Sequence, residues 1–111
     1  MATEPATVYS LTDKIVYAKD SVVSQQIIKS KAGNITLFAF DEGQQLSEHS
    51  APFDALLQVL DGNALIHIAG QPYELKAGDM IILPANVPHA VMASTAFKML
   101  LTMIRDKSEP K

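Results

Sequence analysis

Apolar residues recur at every second position over short stretches of this chain, and no stretch keeps a 3.6-residue period for three turns. The alternation predicts strands over about 14 to 17, 22 to 29, 34 to 41, 45 to 49, 53 to 60, 63 to 69, 72 to 76, 79 to 83, 88 to 93 and 96 to 104. Each run is bounded by Gly, Pro, Asn or Asp, residues that turn the chain rather than extend it. About ten short antiparallel strands at this regular spacing predict an all-β sandwich or barrel. Asp61-Gly62, between two β-rich runs, predicts a hairpin, because glycine accepts the positive φ of a twist-matched two-residue turn. Lys31-Ala32-Gly33-Asn34, Ala69-Gly70-Gln71-Pro72 and Ala77-Gly78-Asp79 predict further turns.

Period two also assigns faces. From Ala64 onward it sends Ala64, Ile66 and Ile68 to the core and places His67 on the opposite side, away from any interior pocket. The last run is apolar on both faces, with Phe97, Met99, Leu101 and Met103 on one and Leu100, Thr102 and Ile104 on the other. Such a strand is covered on both sides. A second subunit in a two-fold homodimer and a covering segment of the same chain are both open readings.

At 111 residues the chain has room for one core. The domain is expected over 13–105, with a loose arm over 1–12 and a polar tail over 106–111, and neither end is expected to carry chemistry. Apolar residues make up 48% and the formal net charge is −3, which excludes the low-hydrophobicity, high-charge pattern of disorder. Lysine and arginine are scattered singly, so no stripe exists to neutralise successive phosphates, and nucleic acid is not an expected partner. No apolar run reaches the roughly 18 to 20 residues of a membrane helix, and the first residues lack a leader's basic and apolar regions. The absence of cysteine excludes thiolate ligands, a thiol nucleophile and disulfides. A cytoplasmic location is expected.

Two histidines hold the candidate chemistry. Gly43, five residues, His49, then Ala51, Ala55 and Gly62 follows in spacing the pattern G-x5-H-x-H-x3-4-E-x6-G, keeping both glycines and the first histidine. Gly78, five residues, Pro84, Asn86 and His89 follows G-x5-P-x-G-x2-H-x3-N, with Asn86 at the central glycine and Ala93 at the final asparagine. Asparagine tolerates the left-handed conformation such a turn requires. On these motifs, covering residues 43 to 93, the chain resembles a small single-domain member of the cupin superfamily, of the conserved-barrel type. The resemblance implies a small jelly-roll barrel holding a divalent metal on three histidines and a glutamate, used by dioxygenases, isomerases and epimerases.

Only His49 and His89 match that ligand set, as the only plausible remnant ligands, so the site reads as a degenerate metal site. Metal sites of this kind use three or four protein ligands, and an alanine methyl offers no lone pair. A weakly held Fe, Mn, Zn or Ni ion is the most that two imidazoles predict. Glu48 and Asp54 neighbour the inward positions in sequence and face the other way unless a β-bulge shifts the register. Each histidine also has an ordinary structural reading, His49 as an exposed strand end and His89 as a buried imidazole satisfied by a backbone carbonyl. The leading expectation is a cavity lined by His49, His89, Ala51, Ala55, Leu57 and Phe53 that binds a small apolar or carboxylated molecule without tight metal. The alternatives are a metal-dependent or histidine acid–base enzyme, in which no catalytic residue is assigned, and an interaction module.

Overall fold

The computed structural model describes residues 3–105. Nine strands follow in chain order: β1 Val22–Ser30, β2 Gly33–Phe40, β3 Gln45–His49, β4 Ala55–Asp61, β5 Asn63–Ile68, β6 Gln71–Lys76, β7 Met80–Leu83, β8 His89–Ala93 and β9 Phe97–Ile104. They form two antiparallel sheets, one ordered β1-β2-β9-β4-β7 and the other β3-β8-β5-β6. The all-β expectation holds, with nine strands in place of ten. Residues 14–17 join no strand ladder. The chain turns there through Asp13 N–H to Ser10 carbonyl and Lys14 N–H to Leu11 carbonyl contacts, and only Ile15 is buried, against Leu37 and Ala39.

Alternation builds the core from both sheets. Ala55, Leu57 and Val59 of β4 and Phe97 and Met99 of β9 point inward to meet Ala64, Ile66, Val91 and Ala93 from the facing sheet. Phe40 stacks on Phe97 at 4.6 Å between ring centres. His67 is half-buried on the outward side of β5, as the pattern predicts.

The turns at 31–34 and 69–72 close hairpins, β1–β2 and β5–β6. Asp61-Gly62 does not. Strand β4 pairs with β7 and β9 while β5 pairs with β6 and β8, so the chain turns a corner there from one sheet to the other. A hairpin and a corner share the same local signal, a positive-φ glycine between alternating runs. What decides is the tertiary partner: Gly62 at φ 76° passes so close to Ala96 and Phe97 that a side chain would collide with them.

The outer face of the five-stranded sheet is partly covered by the chain's own beginning. Leu100 joins Ile15, Leu37 and Ala39 in a second apolar cluster outside the core, with Tyr17, Val23 and Leu60 around it. Tyr17 donates to the Asp61 carboxylate at 2.6 Å, and Lys98 donates to the Thr12 carbonyl while standing over the Tyr17 ring. Burial, then the bond to Asp61, raises the Tyr17 phenol above its ordinary acidity range.

Candidate functional site

Two connections and a strand end bring the candidate residues to one end of the molecule. Residues 50–54 join the end of β3 to the start of β4, residues 84–88 join the end of β7 to the start of β8, and β5 ends alongside, with Ile68 opposite His89. The second connection depends on Asn86, which sits at φ 63° in the left-handed conformation expected of it and donates its N–H to the Ala51 carbonyl at 2.7 Å. That bond ties the loop holding Ala51 to the loop leading into His89.

A β-bulge places His49. In the β3–β8 ladder Leu46 pairs with Val91 and His49 with His89, so three steps along β3 match two along β8. Leu46 and Val91 both pack into the core. Without the extra residue His49, three positions on, would face away from that interior; the bulge at Ser47–Glu48 restores it to His89's side. The two rings meet edge to face, 4.5 Å between centres and 67° between planes. His89 is buried at 7% exposure and His49 is exposed.

The hydrogen bonds assign each ring's tautomer. His49 Nδ1 lies 2.9 Å from the Ser47 carbonyl and His89 Nδ1 lies 3.3 Å from the Val87 carbonyl. A carbonyl only accepts, so both Nδ1 atoms donate, and an uncharged ring then carries its lone pair on Nε2. Burial pulls the His89 pKa below its ordinary value, the neighbouring His49 pulls the same way, and the Val87 carbonyl opposes them in part. His89 is therefore neutral at pH 7.

The other expected pocket residues divide. Ala51 and Phe53 are half-buried beside the pair in sequence, and the Arg105 guanidinium stands 5.4 Å from the Phe53 ring centre. Ala55 is 6% exposed and Leu57 fully buried, and both belong to the packed core. Two cavities among the described residues, of about 440 and 300 Å³, lie elsewhere and are lined by other residues. Leu57 and Ile66 meet from the two sheets in that core.

One residue escaped the sequence reading. Asn34 lies on the inward face of β2, in register with Met103, which is in register with Ala55 and through it Leu83, at the histidine end of the five-stranded sheet. It is 8% exposed, and its Oδ1 has no hydrogen-bond partner among the described residues. The signal was present: Asn34 and Thr36 are polar at positions whose period-two companions are Phe38 and Phe40.

The metal-ligand set implied by the resemblance does not fit these residues. Ala51 and Ala55 supply no donor, Asp54 is engaged by the Ala85 N–H at 2.8 Å, and Glu48 is an exposed residue of the bulge. Among the described residues no three His, Asp or Glu side chains come together.

Two antiparallel sheets packed around an apolar core, with a paired-histidine end, define a small jelly-roll protein. Comparison with known families places it: the cupin domain family matches residues 36–104, and the chain belongs to the cupins. A conserved protein of unknown function from Streptococcus pyogenes is 34% identical, with 96% of this chain and 94% of that one superposed at a TM-score of 0.91. A cupin superfamily protein from Desulfitobacterium hafniense is 28% identical over 96% of this chain and 97% of its own, at a TM-score of 0.89. Salicylate 1,2-dioxygenase from Pseudoaminobacter salicylatoxidans shares the fold at 16% identity and a TM-score of 0.71, over 85% of this chain and 28% of that one. No curated protein matches the chain.

Proposed function

We propose that this chain is a binding-type cupin that takes a small, largely apolar molecule at the mouth formed by His49, Ala51, Phe53 and His89, without a tightly bound metal. The observation supporting this reading is the histidine pair itself, two rings in contact with both Nδ1 atoms committed to backbone carbonyls. With Nδ1 so held, an uncharged ring keeps its lone pair on Nε2, which a ligand hydroxyl or amide N–H complements. A carboxylate meets the pair only with a proton shared between them. Two imidazoles without a carboxylate or a third ring hold a divalent cation weakly.

The outer face of β4 and β7 supports a second part of the proposal, a homodimer. Met80 is 62% and Ile82 55% exposed, and Ile82 lies in register with Leu56 beside them. A second copy closing over this patch removes it from water. No helix of the described residues is long and apolar enough to cross a membrane, and a cytoplasmic location is proposed with the rest.

A fragment screen followed by amide NMR shifts tests the reading. Hits are expected to move the resonances of His49, Phe53 and His89, and the double variant His49→Ala, His89→Ala should lose them. Hits that bind the double variant equally would overturn the proposed site, and consumption of a bound fragment would favour the acid–base enzyme instead. Light scattering tests the dimer, with Ile82→Glu expected to give monomers.

A further inference from the structure

A second site lies outside the barrel. Between the chain's first residues and the outer face of the five-stranded sheet is a cavity of about 300 Å³, walled by Leu11, Ile27, Ile35, Leu37 and Leu100. That is roughly twice the ~150 Å³ apolar cavity that accommodates benzene. Its polar groups are few, the Lys14 ammonium and the hydroxyls of Thr3, Thr7 and Tyr9. Lys14, half-buried, lines it and places its ammonium 2.7 Å from Gln25 Oε1 and 4.7 Å from the Tyr9 ring centre. Both partners are uncharged, and among the described residues Lys14 pairs with no carboxylate. No aspartate or glutamate lines the cavity. Thr3, also in the wall, has a buried hydroxyl with no hydrogen-bond partner among the described residues.

An apolar pocket with one uncompensated cation and one idle hydroxyl is complementary to one class of molecule. A half-buried ammonium whose partners are uncharged, standing beside Leu and Ile side chains, is complemented by an anion. A buried hydroxyl without a partner costs free energy that an acceptor oxygen recovers. We propose that this cavity binds a small apolar monocarboxylate, its hydrocarbon part against Leu37 and Leu100, its carboxylate accepting from Lys14 Nζ and the Thr3 hydroxyl. The site is separate from the histidine pair and shares no residue with it. Because its near wall is the arm formed by Thr3, Thr7, Tyr9 and Leu11, occupancy fastens that arm to the sheet.

Octanoate is the probe, and 1-octanol is the neutral control of equal chain length. Titration of the full chain, followed by amide NMR, is expected to show saturable octanoate shifts at Thr7, Tyr9, Lys14 and Leu100, with 1-octanol markedly weaker. Lys14→Met keeps the apolar stem and removes the charge. It should weaken octanoate by on the order of ten-fold, the usual worth of a charged hydrogen bond, and leave 1-octanol unchanged. Equal octanoate affinity in the wild type and Lys14→Met overturns the proposal. So does a titration whose shifts centre on His89, or one that never saturates. Loss of the histidine-site fragments with octanoate binding intact would instead sink the proposed function and leave this inference standing.

Discussion

Replacing Gly62 with alanine tests the corner on which the two-sheet arrangement depends. Gly62 and Gly70 make a matched pair, at φ 76° and 81°, so alanine carries the same left-handed conformational cost at each, about 1 kcal/mol. The surroundings differ. A Cβ at Gly70 meets nothing within 4 Å, whereas at Gly62 it falls 2.1 Å from the Ala96 carbonyl oxygen and 2.9 Å from both Cα and Cβ of Phe97. An ordinary C···O contact is about 3.3 Å, so the first of these overlaps by roughly 1.2 Å against backbone that cannot swing aside. Relief requires moving Phe97, whose ring stacks on Phe40 in the core. We expect Gly62→Ala to cost about 3–5 kcal/mol in all and Gly70→Ala about 1 kcal/mol. With a urea slope of roughly 1.5 kcal/mol/M, the unfolding midpoint falls by about 2 M or more in the first variant and less than about 1 M in the second. Equal midpoints for the two variants would refute the corner argument.

Burial of neutral His89 makes stability depend on pH with a defined sign. Its folded pKa lies below the ordinary 6.5, so the unfolded chain takes up the proton first, and stability present above pH 6.5 is lost as the pH falls below it. Urea midpoints between pH 7.5 and 5 should decline more steeply in the wild type than in His89→Gln; parallel declines would contradict this. Asn34→Leu replaces an unsatisfied buried amide by an apolar group of similar size and is expected to add about 1 kcal/mol, raising Tm by roughly 4–8 °C in calorimetry. A lowered Tm would show that Asn34 satisfies its amide in the free protein. Ile82→Glu should leave Tm of the monomer nearly unchanged while abolishing association, since it alters an exposed edge strand.

Much of this fold is written in local pattern, because alternation records the burial of each face directly. The inward set Ala64, Ile66 and the outward His67 follow from period two alone, and the turn residues at 31–34 and 69–72 mark the turns of two hairpins whose strands are neighbours in sequence. Legibility ends where a partner distant in sequence decides. Asp61-Gly62 has the chemistry of a hairpin and becomes a corner because Ala96 and Phe97 pack against it. Ile15 has the pattern of a strand and becomes an anchor, buried against Leu37 and Ala39 on the outer face of the sheet.

The site shows the same division. Motif spacing brought His49 and His89 to one place, and Asn86 takes the left-handed turn its position requires. Alternation by itself would have turned His49 outward relative to Leu46, and the bulge that corrects it has no signature in Ser47-Glu48. The packing of Ala55 into a core shared with the facing sheet is likewise invisible in one strand's sequence. The arm's cavity depends on residues from the beginning, middle and end of the chain and leaves no local trace.

The central claim is that His49 and His89 form a lone-pair-bearing dyad with too few companions to retain a cation. Native mass spectrometry of the untagged chain, loaded with excess zinc or manganese and then dialysed, measures this directly. The account predicts the mass of the bare polypeptide, alone or as its dimer. One ion retained per chain, and lost in the His49→Ala, His89→Ala variant, would contradict it.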